Sequence, residues 1–178
     1  VGGGGVGGGV GAPLTSSAGR LFDAVAAICS VRDRVNYEGQ AAVELEQRVD
    51  RDETGAYLVS TVAGTPLQLR GTDLVRGVVE DVMAGADVGA VAARFHNGLA
   101  GAVVEACEAV ADRTGLTSVA LSGGVFQNLV LLDRVGAGLR RAGMRVLTHS
   151  RVPPNDGGIS LGQVAVAGAL AAHRHGHG

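Results

Sequence analysis

The chain has 178 residues, a formal net charge of −2, 46% apolar and 18% charged residues. That is enough for one globular domain with a core, and unlike the composition of a disordered segment. All 15 basic residues are arginine, so lysine chemistry is excluded: no Walker-type phosphate grip, no Schiff base, no lysine general base. Eight of the 30 glycines fall in Val1–Gly11, a tract without apolar periodicity. Residues 1–12 are therefore set aside as a glycine-rich linker or a damaged end.

Thr15, Ser16 and Ser17 offer N-caps to a helix running to about Val31, with Leu21, Phe22, Val25, Ile28 and Cys29 on one face. A second helix is expected from about Glu38 to Arg51. Tyr57–Val62 and Pro66–Leu69 alternate around Ala63-Gly64-Thr65 as a hairpin. Gly71-Thr72-Asp73 caps a helix through Met83. Asp87 then opens a long helix to about Arg113, with Val91, Phe95, Leu99, Val103 and Val110 on one stripe.

Ser118–Leu121 is expected as a short buried strand, followed by the turn Ser122-Gly123-Gly124 and a helix to about Arg141. Arg145–Thr148 is the next strand, Ser150–Gly158 a polar loop, and Ile159 to about Ala172 the last helix, leaving a His-rich tail at 173–178. Strand–helix–strand–helix of this length implies parallel strands with a right-handed crossover. With the hairpin added, the expectation is an α/β lobe built on a mixed sheet flanked by helices.

The net charge and 3% aromatic content argue against a nucleic-acid face, and no apolar run reaches the roughly 18 residues of a membrane span. Nothing before Arg20 is charged, as a secretory signal would require. Cys29 and Cys107 are far apart in helical patterns and are expected as core thiols of a cytoplasmic protein.

In such sheets, ligands sit beyond the carboxyl ends of the strands. Ser122-Gly123-Gly124 and Asn155-Asp156-Gly157-Gly158 both fall there and each opens a helix, so the pair can hold a nucleotide, or can be two tight turns. Asp156 is either a ligand for a divalent cation bridging to phosphate or the N-cap of the last helix. Ser122 and Asn128 are candidates for ribose or phosphate contacts, against a turn serine and a helix-surface amide. His96 and Glu38 are the catalytic candidates, His96 against a structural hydrogen-bonder, and Glu38 as a residue that either caps or lines the cleft.

LSGGVFQN (Leu121–Asn128) with VPPNDGGISLGQ (Val152–Gln163) resembles the C-terminal end of the hydrogenase-maturation carbamoyltransferases, the HypF family. PLTSSAGRLFDAVAA (Pro13–Ala27), YEGQAAVELE (Tyr37–Glu46) and ARFHNGLA (Ala93–Ala100) resemble it too, in the same order, so the likeness spans Pro13 to about Ala172.

The resemblance implies the C-terminal lobe of an actin-like, ribonuclease-H-related (Kae1-like) domain. It implies an enzyme that makes carbamoyl adenylate from carbamoyl phosphate and ATP in an upstream domain. The last domain passes the carbamoyl group to the C-terminal cysteine of a HypE-like partner protein, toward the cyanide ligands of nickel–iron hydrogenase. By resemblance, Asp156 is a ligand of a divalent metal (zinc, iron or magnesium). Ser122, Gly123, Gly124, Asn128 and Gly157 face the nucleotide, and Ser17, Gly19 and Arg20 line the cleft. The attacking thiol is the partner's. The family's His-x-x-x-His metal pair has no match in this chain, so the implied role is that of one lobe, inactive alone. A tRNA threonylcarbamoyl transferase lobe and a non-catalytic nucleotide-binding or interaction module are the other readings.

Overall fold

Residues 16–175 are described by the computed structural model; the glycine tract and residues 176–178 of the tail lie outside them. Helix α1 (Ala18–Ile28) starts behind Ser17 and buries Phe22, Val25 and Ala26. It stops short of the expected Val31 because Ser30 takes a left-handed φ of 55°. The chain then folds back, with Ser30 N–H donating to the Ala27 carbonyl and Val31 N–H to that of Ala26, the paired bonds that close a helix end. Helix α2 (Gln40–Gln47) is shorter at both ends than expected. Gly39 at φ 82° delays its start past Glu38, and beyond Gln47 the Asp50 N–H is drawn to the Gly89 carbonyl at 3.1 Å.

The expected hairpin is reduced to β1 (Thr61–Val62) and β2 (Gln68–Leu69), paired antiparallel. The segment before it does not extend the strand: its first residue is tied to the long helix α4 (Val88–Thr114), and Ser60 N–H is taken by the Asp73 carboxylate. Tyr57 N–H donates to the Arg94 carbonyl, and Asn97 Nδ2 to the Gly55 carbonyl at 2.7 Å. Arg94 bridges Glu53 and Asp81 at 2.7 and 2.9 Å, and the Tyr57 hydroxyl donates to Asp81 at 2.6 Å. Hydrogen bonds from Tyr57 and Arg94 hold the Asp81 carboxyl below its usual range, while burial and Asp81 push the Tyr57 phenol up. Gly98 permits this approach: a Cβ there would run into the Tyr57 carbonyl oxygen.

Helix α3 (Gly71–Met83) ends where expected and buries Leu74 and Val78, but Gly71-Thr72-Asp73 form its first turn rather than its cap, Arg70 holding the cap position while Asp73 accepts from Ser60 N–H. Asp87 caps α4 by accepting from the Gly89 and Ala90 amides. Of the predicted stripe, Val91, Phe95 and Leu99 are buried, whereas Val110 is 38% exposed. The core is gathered around the first half of α4, which packs against α3 and against α5 (Leu129–Arg141), while α1 packs against α2 and α3. Phe22 and Phe95 meet edge to face at 4.9 Å. Cys29 is buried and Cys107 half-buried; both are free thiols raised by desolvation.

Strands β3 (Ser118–Leu121) and β4 (Arg145–Thr148) lie where expected and pair in parallel, Leu121 opposite Thr148. Two expectations are corrected. The sheet is not mixed: among the described residues the hairpin and the parallel pair are separate two-stranded sheets. Nor is β3 a buried strand, since only Leu121 in it is buried. The last helix, α6 (Ile159–His175), packs against the 156–158 turn and exposes every residue from 159 to 172, Val164 at 68% among them.

Candidate functional site

The parallel register brings the two glycine turns together. One step beyond Leu121 and Thr148 stand Ser122 and His149, and Ser122 Oγ lies 2.8 Å from His149 Nε2. Gly123 continues with φ 100° and ψ 158°, a conformation open only to glycine. Its N–H donates to the Pro154 carbonyl at 2.8 Å, fastening one turn to the other. In the second turn, Asn155 Oδ1 accepts from Gly157 N–H at 3.1 Å, and the Asn155 carbonyl accepts from Gly158 N–H at 3.0 Å.

Between the turns lies a cleft of about 260 Å³ whose walls include Ser122, Gly123, His149, Pro153, Asn155 and Asp156. Ligand pockets usually measure roughly 300–1,000 Å³, and this cleft lies just under that range. A larger groove, about 610 Å³, runs between β2, α4 and β3. Its lining is apolar apart from Arg113 and Ser118, with Cys107 as its one thiol, and it lacks the convergent polar groups that chemistry requires.

Asp156 opens the 3₁₀ turn Asp156–Gly158 and is exposed; its carboxylate makes no hydrogen bond or ion pair among the described residues. Asn155, not Asp156, occupies the cap position of that turn. Among the described residues no group of three His, Cys, Asp or Glu side chains converges on a metal position. A free carboxylate beside the cleft can serve as one ligand of a hard cation, and the described residues supply no full set.

The other candidates sit elsewhere. Gly124 begins a 3₁₀ turn, Gly124–Gln127, and Asn128 follows as the N-cap of α5, its Oδ1 accepting from Leu131 N–H at 2.8 Å. Asn128 is buried, not on a helix surface, and its Nδ2 lies 3.0 Å from His96 Nε2. His96 is completely buried, with Nδ1 2.7 Å from the Ala92 carbonyl. Its ring must therefore carry the proton on Nδ1 and accept from Asn128 at Nε2. Burial, reinforced by nearby Arg134 against the pull of the Ala92 carbonyl, lowers its pKa to about 4. Such a ring presents neither nitrogen to a substrate; in this structure it serves the core. Glu38 is exposed on the turn before α2 and does not line the cleft. Ser17, Gly19 and Arg20 are exposed at the start of α1, outside the cleft lining, although α1 packs against the 124–127 turn. Arg20 pairs with Asp23 at 3.2 Å.

Two residues were not visible as functional from motifs. His149 acquires its place only from strand register, a signal available once β3 and β4 are taken as paired. Glu46 reaches from α2 to accept from the Leu129 and Val130 amides at 2.7 and 3.2 Å, a second cap on α5 from far along the chain.

Comparison with known proteins follows the same region. Residues 6–163 match the family model described as carbamoyltransferase, Kae1-like domain, second subdomain. The chain is 35% identical over 155 residues to carbamoyltransferase HypF of Synechocystis sp., covering 86% of this chain and 19% of that protein. It is 38% identical over 167 residues to carbamoyltransferase HypF of Rhizobium leguminosarum bv. viciae, covering 92% and 21%. It thus spans about one fifth of the length of these relatives. Among solved structures, full-length HypF in its phosphate- and nucleotide-bound form superposes with a TM-score of 0.82 at 39% identity, over 86% of this chain and 20% of that one. HypF of T. kodakarensis gives 0.75 at 28% identity, over 88% and 20%.

Proposed function

Because the chain belongs to the HypF carbamoyltransferase family, we propose that it supplies one wall of a carbamoyl-transfer site. The donor is carbamoyl adenylate, made from carbamoyl phosphate and ATP, and the acceptor is the C-terminal cysteine of a HypE-like partner in hydrogenase cyanide-ligand maturation. The observation that carries this reading is the free Asp156 carboxylate in a cleft formed by two linked turns at the carboxyl ends of β3 and β4. The partner's thiolate sulfur bonds to the carbamoyl carbon as the bond from that carbon to the phosphate oxygen breaks, releasing AMP. The turns orient the nucleotide for that attack and Asp156 is one ligand of a divalent cation. When bound, that cation neutralises charge on the departing phosphate.

The same reading makes the chain the C-terminal lobe of an actin-like fold, supported by the parallel strands each followed by a helix. Its compartment is the cytoplasm; no helix among the described residues is long and apolar enough to cross a membrane.

Thermal denaturation of the full chain with ATP and a divalent cation tests the site. We expect stabilisation that needs both ligands and disappears in Asp156→Ala. Equal melting with and without ligands in the wild type would leave an interaction module instead. With one wall and one metal ligand, the chain alone is expected not to carbamoylate a cysteine-terminated peptide. Turnover comparable to that of a full-length enzyme would refute this.

A further inference from the structure

The glycine turns invite the assumption that their amides grip phosphate, yet three of the four glycine donors are already engaged. Gly123 N–H is given to the Pro154 carbonyl, Gly157 N–H to Asn155 Oδ1 and Gly158 N–H to the Asn155 carbonyl. No arginine lines the cleft, and Asp156 turns a negative charge toward it. An anion entering there gains from a side-chain donor, and Ser122 on the rim, 2.8 Å from His149 Nε2, is the hydroxyl available.

That contact has two possible polarities. With the hydroxyl proton given to a bare Nε2, Ser122 would show the cleft only lone pairs, and a phosphate oxygen would be repelled. With Nε2–H donated to Ser122 Oγ, the hydroxyl proton is released to point into the cleft and donate to an anionic oxygen. We propose that His149 is a positioning residue that donates Nε2–H to Ser122 and so makes the Ser122 hydroxyl a donor to the nucleotide's phosphate. The relay selects phosphorylated over unphosphorylated nucleosides. The inference rests on the nucleotide reading above and adds to it the group that recognises the phosphate.

The test is the affinity of the full chain, in the presence of a divalent cation, for AMP and, as the unphosphorylated control, adenosine, in wild type, His149→Ala, His149→Gln, Ser122→Ala and the double alanine variant. His149→Ala and Ser122→Ala are each expected to weaken AMP about tenfold, the lower range for a hydrogen bond to a charged group. The double variant should be no weaker than either single one, and adenosine should change less than about twofold. His149→Gln, which keeps an N–H at the ring's donor position, should recover most of the affinity. If wild type binds AMP and His149→Ala binds it equally well, the relay is wrong. If AMP and adenosine weaken together, His149 merely supports the fold and the proposal also falls. If wild type fails to bind AMP, the nucleotide reading itself is overturned.

Discussion

Replacing Phe95 by alanine is expected to lower the unfolding free energy by about 3–5 kcal/mol, the range for emptying a fully buried aromatic site. Phe95 is 0% exposed in the first half of α4 and meets both Phe22 at 4.9 Å and His96 at 5.6 Å edge to face. The truncation removes ring area and two ring contacts, and the rigid helices around it limit collapse. Against a typical domain stability of about 5–15 kcal/mol this is a large share. Urea denaturation of both proteins measures it. A loss below about 1 kcal/mol would mean that α1, α4 and α5 do not share the core described here.

The second large effect is one of pH. His96 keeps its neutral form in the fold, with a pKa of about 4 against the ordinary 6.5, because burial penalises the charged ring. Between these values the unfolded chain holds a proton that the folded chain does not, so acid favours unfolding. The contribution is complete above about pH 6.5 and declines as pH falls toward 4, amounting to about 3 kcal/mol in all. The carboxylates of Glu53 and Asp81 are held below their usual values by hydrogen bonds to the Gly55 backbone and Arg94, and to Tyr57 and Arg94, respectively. Their losses begin as pH falls into the ordinary carboxylate range and continue below it, leaving pH 6.5–5 to His96. Urea midpoints at pH 7, 6 and 5 should fall steeply in wild type and much less in His96→Gln. Equal slopes in the two proteins would remove His96 as the cause.

The same two residues show what the sequence made legible. The Asp87 cap and the spacing of Val91, Phe95 and Leu99 locate α4 almost to the residue, since caps and periodicity are local signals. Strands β3 and β4 were legible for the same reason, as was the closeness of the two glycine turns. The hairpin is shorter than expected because alternation at Tyr57–Val62 says nothing of Arg94 and Asp73, which take the Tyr57 and Ser60 amides from other elements. His96 was ambiguous until α5 placed the Asn128 amide against its ring, and Glu46 caps a helix that lies far along the chain. These are tertiary pairings, and no window along a sequence contains both partners. Asp156 stood out from its motif, whereas His149 needed the strand register.

The bond from Gly123 to Pro154 has a further consequence. It is made entirely of main-chain atoms, so the spacing of the two turns does not depend on the side chains around it. Ser122, His149 and Asp156 can change chemistry on that frame while the bond between the turns stays in place. Much of the entropy of closing the thirty-odd residues between the turns is likewise settled at folding. A ligand thus meets a lip already at its working separation, and variation in this chain can retune what is bound while leaving where it is bound fixed.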